Sequence, residues 1–492
     1  MPSILDKRRA GILLHISSLP GLGKVGDLGQ EAHHFVRFLH NTGITVWQTL
    51  PLGITHADGS PYQSLSAHAG NPELISIDWL CKQGWLRFAD IAAESKDLSE
   101  RPKSLLLTKA YQGFLECAHE ADKLDFSHFC HSKDFWLDDF ALFMALRDEF
   151  QEQSWNHWPE HYRDREVKAL QEARRRLKAH VDATKFHQYV FFRQWLELKA
   201  YAGQHGVLLF GDIPIFVSYD SADVWANREV FKLDDNGEMV VVAGVPPDYF
   251  SATGQRWGNP HFNWHYLQKT GFFWWIDRLQ TQVELFDILR IDHFRGLEAA
   301  WEIPASEDTA INGQWVKAPG KALLTAIKAA LGDIPLVAED LGIITPEVEE
   351  LRDEFQLPGM KILQFAFGDD PHNPYLPSNY HSNCVAYTGT HDNDTTVGWA
   401  EKLSVEEQDK IFDYLGNPQL SLHCALIHAT LGSVANLAVI PMQDILELGT
   451  EHRMNTPGTT TGNWAWRFHW DQLTPERSDR LRHLVKLFNR QA

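Results

Sequence analysis

Short apolar runs recur along the chain, and stretches with helical spacing separate them. The runs are rich in Val, Ile, Leu and Phe and do not alternate with polar residues, which is typical of strands covered by helices. Eight strands are predicted, at residues 12–15, 44–50, 207–211, 286–291, 335–339, 361–365, 384–388 and 436–441. The helical spacing between them, as at residues 31–41, 274–281 and 321–331, indicates a parallel α/β sheet. Eight such strands favour closure into a (β/α)8 TIM barrel.

Long gaps between predicted strands indicate insertions into this barrel. The chain has 492 residues, whereas a plain β/α barrel has about 250. Residues 76–205 are dense in Lys, Glu, Arg, Ala and Leu, with a strong helical pattern over 164–183, and predict a mostly helical inserted subdomain. No linker separates it, so residues 1–492 are expected to form a single catalytic barrel. A last helical pattern at 475–489 soon follows the eighth strand and predicts no C-terminal β-sandwich domain.

Residues 244–260 contain glycines and prolines that exclude a regular helix. Tyr249, Phe250, Gln255 and Trp257 lie within this segment. We therefore expect an active-site lid loop that contacts a substrate, with an ordinary surface loop as the alternative. Phe365, at the end of the sixth predicted strand, is a further candidate for substrate contact.

Composition and charge narrow the class of protein. The formal net charge of −20 argues against nucleic acid or an anionic membrane as a partner, because both require clustered Lys and Arg. Five widely spaced cysteines without a C-x-x-C pair suggest free thiols. The sequence also lacks the apolar segment that a signal peptide or a membrane span requires. Together with the free thiols, this lack predicts a cytoplasmic protein. The 18 Trp, 28 Phe and 12 Tyr suit sugar stacking, although core packing alone explains such numbers.

Three acidic segments carry the candidate chemistry, at residues 290–296, 338–342 and 390–395. Each places a carboxylate, namely Asp292, Glu339 or Asp392, at or just beyond an apolar run. The carboxyl ends of parallel strands are where a β/α barrel builds its active site. Asp and Glu as the principal acids, with no Cys or His metal cluster, are typical of enzymes that cleave glycosidic bonds.

Arg290 and Asp292 lie two residues apart, so in a strand both side chains face the same way. A guanidinium beside Asp292 favours its charged form, which a glycosyl nucleophile requires, but a structural ion pair has the same pattern. Asp212 ends the third strand on the same rim and is expected to support Arg290 or the nucleophile. Tyr62, after the second strand, is expected to stack on the sugar. For both, a structural role is an equal alternative.

Glu339 and Asp340 are neighbours, so only one of them faces the site, and the phase of the apolar run leaves open which. The longer Glu339, among apolar neighbours, suits a proton donor with a raised pKa. His391 and Asp392 resemble part of a metal cluster, but no H-x-x-x-H pattern accompanies them. We expect them to hydrogen-bond hydroxyls of the ring being cleaved.

The acidic rim residues occur in the order of the four short regions of the α-amylase superfamily. Longer segments narrow the match: residues 11–21 (GILLHISSLPG), 60–63 (SPYQ), 69–72 (AGNP), 244–260 and 387–396 (YTGTHDNDTT). Over residues 8–470 the chain resembles the amylomaltase family, the 4-α-glucanotransferases of glycoside hydrolase family seventy-seven. Its members usually have His where Ser378 stands and commonly Phe where His68 stands.

The resemblance implies a retaining transfer of α-1,4-glucan segments between maltodextrins or maltooligosaccharides, without a cofactor. It implies that Asp292 is the nucleophile, that Glu339 is the acid and base, and that Asp392 stabilises the distorted ring. It also implies subsite contacts from the rest of the rim: Tyr62, Asp212, Arg290, His391 and Trp257. The alternatives are an α-amylase-like hydrolase or debranching enzyme, a catalytically silent glucan-binding scaffold, and a metal-dependent hydrolase built on His391 and Asp392. The oligomeric state is not predicted.

Overall fold

The computed structural model describes residues 4–21, 23–92, 103–248, 251–368, 370–416 and 419–491. Within these residues there are twelve strands: β1 (Arg9–Leu13), β2 (Val46–Gln48), β3 (Leu208–Pro214), β4 (Val241–Val245), β5 (Gln255–Pro260), β6 (Ile288–Asp292), β7 (Ala299–Pro304), β8 (Gln314–Lys317), β9 (Leu336–Ala338), β10 (Gly359–Ile362), β11 (Cys384–Tyr387) and β12 (Leu437–Pro441).

Eight of these strands form one parallel sheet in the order β10-β11-β12-β1-β2-β3-β6-β9. They correspond to the eight predicted strands, with ends that shift by a few residues. The two edge strands meet where the Ala338 N–H donates to the Pro358 carbonyl (2.9 Å), which brings the sheet close to full closure. The predicted (β/α)8 barrel is therefore confirmed.

Alternate residues of the barrel strands fill the interior. One cluster inside the barrel contains Val46, Phe210, Ile288, Val337, Val385 and Val439. The residues between them, such as Trp47 and Leu289, belong to the outer cluster that packs against the helices. Because side chains repeat every second residue in a strand, the interior row continues from Phe210, Ile288 and Val337 to polar side chains at the carboxyl rim.

Helices cover the outside of the barrel and follow the strands. Outside residues 76–205 they are Gln30–Thr42, Ala222–Ala226, Trp264–Lys269, Phe273–Leu285, Gly320–Leu331, Pro346–Glu354, Thr396–Glu401, Val405–Leu415, Leu422–Gly432, Met442–Ile445 and Pro475–Leu487. After β12 the described residues form only helices and loops. None of the helices that the structure describes is both long and apolar enough to cross a membrane.

Residues 76–205 are helical over most of their described length. The helices are Ile77–Lys82, Phe88–Ala92, Lys103–Cys117, Glu120–Ser132, Asp134–Glu149, Glu160–Arg163, Val167–Arg176 and Lys178–Gln204. The strong helical pattern over residues 164–183 falls on two helices, Val167–Arg176 and Lys178–Gln204, which meet at Leu177. The turn at Arg165, with a positive φ of 57°, precedes the first of them. The status of this region as a separate subdomain stays a prediction.

A second sheet was not predicted from the sequence. Its four antiparallel strands lie in the order β5-β4-β7-β8. The residues expected to form a lid loop, 244–260, run from the end of β4 to the end of β5, so both ends of that segment are strand. Its role as a lid stays a prediction.

Arg490 closes the end of the barrel opposite the acidic rim. Its side chain is fully buried and donates to four backbone carbonyls: Leu431 (2.6 Å), Arg9 (2.8 Å), Ser433 (3.0 Å) and Asn436 (3.4 Å). These carbonyls lie at the end of helix Leu422–Gly432 and at the starts of β1 and β12. Two of these carbonyls have a second donor, because Asn436 also accepts from the Arg9 N–H (2.7 Å) and Leu431 also accepts from Arg8 Nη2 (3.3 Å). Arg490 adds to these bonds and also binds the carbonyls of Arg9 and Ser433.

We expect Arg490→Met to lower the free energy of unfolding by about 3 kcal/mol, because it removes four buried hydrogen bonds to backbone carbonyls. Guanidinium chloride unfolding measures this change. The matched variant is Arg87→Met, which removes an arginine whose side chain is 81% exposed and which should leave the midpoint unchanged. Equal midpoints for Arg490→Met and the parent protein would contradict this stabilising role.

Candidate active site

A buried guanidinium organises the acidic rim. Arg290 and Asp292 lie on the same face of β6, as predicted, and Arg290 pairs in register with Asp212 of β3. Arg290 Nη1 donates to Asp212 Oδ2 (2.6 Å), and Nη2 lies 2.8 Å from Asp292 Oδ1. A single cation therefore joins a fully buried carboxylate to one whose side chain is 29% exposed.

Tyr62 extends this network towards the loop after β11. Its hydroxyl donates to Asp212 Oδ2 (2.6 Å). Its ring stacks on His391, with centroids 5.1 Å apart and planes 16° apart. Within the described residues, Asp212 Oδ1 has no hydrogen-bond partner, so it remains an acceptor beside the site.

The structure resolves which of the two adjacent acids faces the site. Glu339 follows Val337 in the interior row, and its carboxylate accepts hydrogen bonds from the backbone N–H groups of His293 (2.5 Å) and Leu341 (3.0 Å). Asp340 faces the junction of β9 and β10, where it pairs with Arg352. The prediction left this choice open on pattern and favoured Glu339 on chemistry.

The bond from His293 depends on an unusual backbone conformation. His293 has φ 53° and ψ 49°, in the left-handed region that few residues other than glycine adopt. This turn directly follows β6 and directs the His293 N–H at Glu339 Oε2. Strained conformations of this kind are found at functional sites, where the surrounding structure holds them.

Two carboxyl groups of the site have raised pKa values. Burial raises the pKa of Glu339 to about 7, against the effect of Arg290, and the charge of Asp292 contributes to the rise. Burial also raises the pKa of Asp292 to about 6, and Arg290 opposes that rise. Glu339 therefore retains its proton at a pH where Asp292, paired directly with Arg290, has lost its own.

Asp392 is stabilised as a carboxylate. Desolvation in the cleft acts to raise its pKa. Two partners outweigh this effect: His391 lies 3.3 Å from Oδ2, and Asn455 donates to Oδ1 (2.6 Å). Together they hold the pKa of Asp392 well below its usual range. Arg453 donates to the Asp392 backbone carbonyl (2.8 Å) and fixes the same loop. Half of the Asp392 side chain, 47%, is exposed and can meet a ligand.

The other residues predicted to contact substrate have fewer described contacts with the acidic rim. Trp257 of β5 packs edge-on to His293, with ring centroids 4.8 Å apart, and its Nε1 donates to Gln255 Oε1 (3.1 Å). Phe365 is 43% exposed and packs against Tyr375, without a described contact to the acidic rim. The other two predicted lid residues, Tyr249 and Phe250, lie outside the described residues.

Three residues of the site were missed from the sequence. They are His293, whose backbone N–H matters, Asn455, and Trp464, whose ring lies 6.0 Å from both Tyr62 and His391. The only available signal for the last two was a polar, Gly-containing segment with aromatics at 455–466, far along the chain from the acids.

The metal-dependent alternative was built on His391 and Asp392, and the two residues that follow them in the chain have other partners. Asn393 Oδ1 accepts from the Thr390 N–H (2.8 Å) and builds the turn, while Asp394 pairs with Lys402 and accepts from Thr450. Within the described part of the chain, one group with metal-ligand geometry is His423, Cys424 and Glu447. Its Glu447 binds Arg480 (2.5 Å) and Arg477 (3.3 Å), and these positive charges oppose a bound cation.

The fold and the rim together define a class of protein. A parallel barrel carries an Arg-paired Asp, a buried Glu and a His-paired Asp at the carboxyl ends of its strands. Paired carboxyl groups with different pKa values are the catalytic groups of enzymes that cleave glycosidic bonds through an oxocarbenium-like transition state.

Comparison with known proteins identifies the family. A family model described as 4-alpha-glucanotransferase matches residues 14–474. The chain is 49% identical to the 4-alpha-glucanotransferase of Synechocystis sp. over 99% of both chains, and 50% identical to that of Thermus thermophilus over 98% of this chain and 99% of that one. The solved amylomaltase from Streptococcus agalactiae in complex with acarbose has a TM-score of 0.95 and 39% identity, and the match covers 99% of this chain and 100% of that one. The chain belongs to the 4-alpha-glucanotransferase family, which confirms the resemblance.

The left-handed turn at His293 gives a test of the backbone support for Glu339. A β-branched residue there should cost about 1–3 kcal/mol, so we expect His293→Val to lower both the melting temperature and kcat. His293→Gly removes the same ring but accepts the backbone conformation, so it should retain more of both. Equal losses in the two variants would show that the ring, rather than the backbone, is what matters.

Proposed function

We propose that this protein is a 4-α-glucanotransferase that moves α-1,4-glucan segments between maltodextrin chains by a retaining double displacement. The observation that carries the proposal is the pair formed by an Arg-bound Asp292 and a buried Glu339 with the higher pKa. A retaining mechanism needs both an ionised nucleophile and a protonated acid at the same time.

In the first step, Asp292 attacks the anomeric carbon of the donor sugar. The bond from that carbon to the glycosidic oxygen breaks, and Glu339 gives its proton to the departing oxygen. An ester between Asp292 and the sugar forms, so the leaving chain departs with a free 4-hydroxyl. Arg290 keeps Asp292 ionised and oriented for this attack.

In the second step, the 4-hydroxyl of an acceptor chain attacks the anomeric carbon of the ester. Glu339, now a carboxylate, takes the hydroxyl proton and returns to its starting state. Asp292 leaves as a carboxylate, and the new α-1,4 bond has the configuration of the old one. The same residue serves as acid and base because the two steps mirror each other.

Asp392 and His391 are proposed to hold hydroxyl groups of the ring that reacts. A carboxylate with a low pKa remains an acceptor throughout the cycle and strengthens its hydrogen bonds as the ring flattens. Tyr62 is proposed to stack on the apolar face of the same ring, with its hydroxyl tied to Asp212.

Transfer requires that an acceptor sugar reach the intermediate ahead of water. We assign this selection to the segment 244–260, with Gln255 and Trp257 beside the site and Tyr249 and Phe250 on its remaining part. The support is the contact between Trp257 and the His293 turn. Exclusion of water and orientation of the acceptor are the physical means. An α-amylase-like hydrolase is less well supported, because the matched family consists of transferases.

The substrates are proposed to be α-1,4-glucans and maltooligosaccharides. The support is the acarbose complex of the Streptococcus agalactiae relative and the activity in the names of the relatives. We also propose that the protein acts in the cytoplasm, where its free cysteines would remain reduced. Relatives in plants are named as plastid enzymes, so the compartment differs within the family.

Incubation with maltotriose tests the reaction itself. Transfer should give free glucose together with a ladder of maltodextrins longer than maltotriose. Chromatography of the products over time measures both. Glucose and maltose without any longer product would indicate a hydrolase and would overturn the proposal.

Matched variants test the assigned nucleophile in the same assay. Asp292→Asn should lower kcat by about 10⁴-fold or more while maltodextrin binding persists, because an amide cannot form the ester. The control is Asp333→Asn, which neutralises an aspartate with an 85% exposed side chain and should retain full turnover. Normal turnover in Asp292→Asn would refute the assignment.

The pKa order predicts the pH dependence of kcat/KM for maltotriose. Activity should fall as the pH drops through about 6, where Asp292 gains a proton, and as it rises through about 7, where Glu339 loses one. The profile should therefore be a narrow bell. With α-maltosyl fluoride as donor and azide as acceptor, neither step needs Glu339, so the alkaline limb should disappear. An alkaline limb that persists with these substrates would contradict the role of Glu339.

A further inference from the structure

The barrel closes at a junction that differs from its other strand pairs. β9 and β10 are the two edges of the parallel sheet, and only short stretches of them meet. Besides the backbone bond from Ala338 to Pro358, the junction is held by the side chain of Asp340. Its Oδ1 accepts from the Met360 N–H (2.7 Å), and its Oδ2 accepts from Arg352 Nη1 (2.5 Å). The carboxylate thus takes the place of a backbone carbonyl as the hydrogen-bond acceptor between the two strands.

The junction is built closely around this carboxylate. The Asp340 side chain is 3% exposed, and Arg352 reaches it from helix Pro346–Glu354. A Cβ added to Gly359 would lie 2.2 Å from Asp340 Oδ2, so this position admits only glycine while the carboxylate is in place. The side chain therefore fixes β9, β10 and the intervening helix relative to one another.

Asp340 lies in the chain between the acid Glu339 and the N–H of Leu341, which donates to Glu339 Oε1. A fixed Asp340 therefore fixes the neighbouring backbone of Glu339 and the Leu341 N–H that binds the Glu339 carboxylate. On the other side of the junction, Met360 receives its position from Asp340, and its sulfur lies 3.4 Å from Arg290 Nε. Asp340 thus contacts the backbone of Met360 and the side chain of Arg352 without facing the cleft.

We propose that Asp340 is a positioning residue for proton transfer, which closes the barrel at β9 and β10 through Met360 and Arg352 and so holds Glu339 in its reactive orientation. The inference rests on the proposed role of Glu339 as acid and base. Small displacements matter for such a group, because proton transfer requires hydrogen-bond distance to the reacting oxygen.

The test compares two donors in the variant Asp340→Asn. The amide retains the shape and one acceptor but presents N–H groups to Arg352, so the junction loosens without losing volume. With maltotriose, whose leaving oxygen needs a proton, we expect kcat to fall by about 10–100-fold with little change in KM. With α-maltosyl fluoride and azide, which bypass Glu339, the rate of fluoride release should fall by no more than about threefold.

Equal losses with both donors would overturn the inference, because they would indicate a general distortion of the site. Full activity of Asp340→Asn with both donors would overturn it as well. Asp353→Asn is the matched control: it removes a 65% exposed partner of the same Arg352 and should leave both rates unchanged. If Asp340→Asn does not fold, Arg352→Met carries the same comparison from the helix side.

Glu339→Gln separates this inference from the proposed function. If that variant retains its rate on maltotriose, the assignment of Glu339 fails, and the role of Asp340 fails with it. If Glu339→Gln shows the loss with maltotriose and the recovery with fluoride and azide while Asp340→Asn does not, the proposed function stands and only the inference fails.

Discussion

The buried guanidinium of Arg290 is the interaction on which the rest of the site depends. A charge removed from water must be paired, and here it is paired on both sides, by Asp212 and Asp292. The pairing needs β3 and β6 in the register that the barrel gives them. Tyr62 in turn donates to Asp212, and His391 stacks on Tyr62. These contacts connect the β3–β6 strand pair to the loops after β2 and β11.

Three carboxyl groups of similar intrinsic acidity acquire different states from their surroundings. Burial keeps Glu339 protonated to about neutral pH, whereas His391 and Asn455 keep Asp392 ionised. Asp292 lies between these extremes, because burial and Arg290 oppose each other. The chemistry of the rim is therefore set by the partners of each acid rather than by its residue type.

The sequence allowed the barrel to be predicted, because buried parallel strands leave continuous apolar runs. The second sheet left no such trace. Its strand β5 carries the polar or large residues Gln255, Arg256 and Trp257, and β4 pairs with β7, from which barrel strand β6 separates it in the chain. The choice between Glu339 and Asp340 required the position of Val337 inside the barrel. Asn455 lies 63 positions from Asp392, and no local pattern connects residues so far apart.

The acids alone do not select an acceptor sugar over water, so the selection must come from the surrounding walls. The β4–β5 hairpin is attached to the rim at two points that the structure describes: Asn259 bonds with Gln63 (3.3 Å) and with the Val217 carbonyl (2.9 Å), and Trp257 packs on His293. The His293 N–H in turn supports Glu339. The wall that we propose excludes water is thus joined through one residue to Glu339, the group that we propose activates the acceptor. This connection is a proposed physical route from the same three acids to transfer rather than hydrolysis.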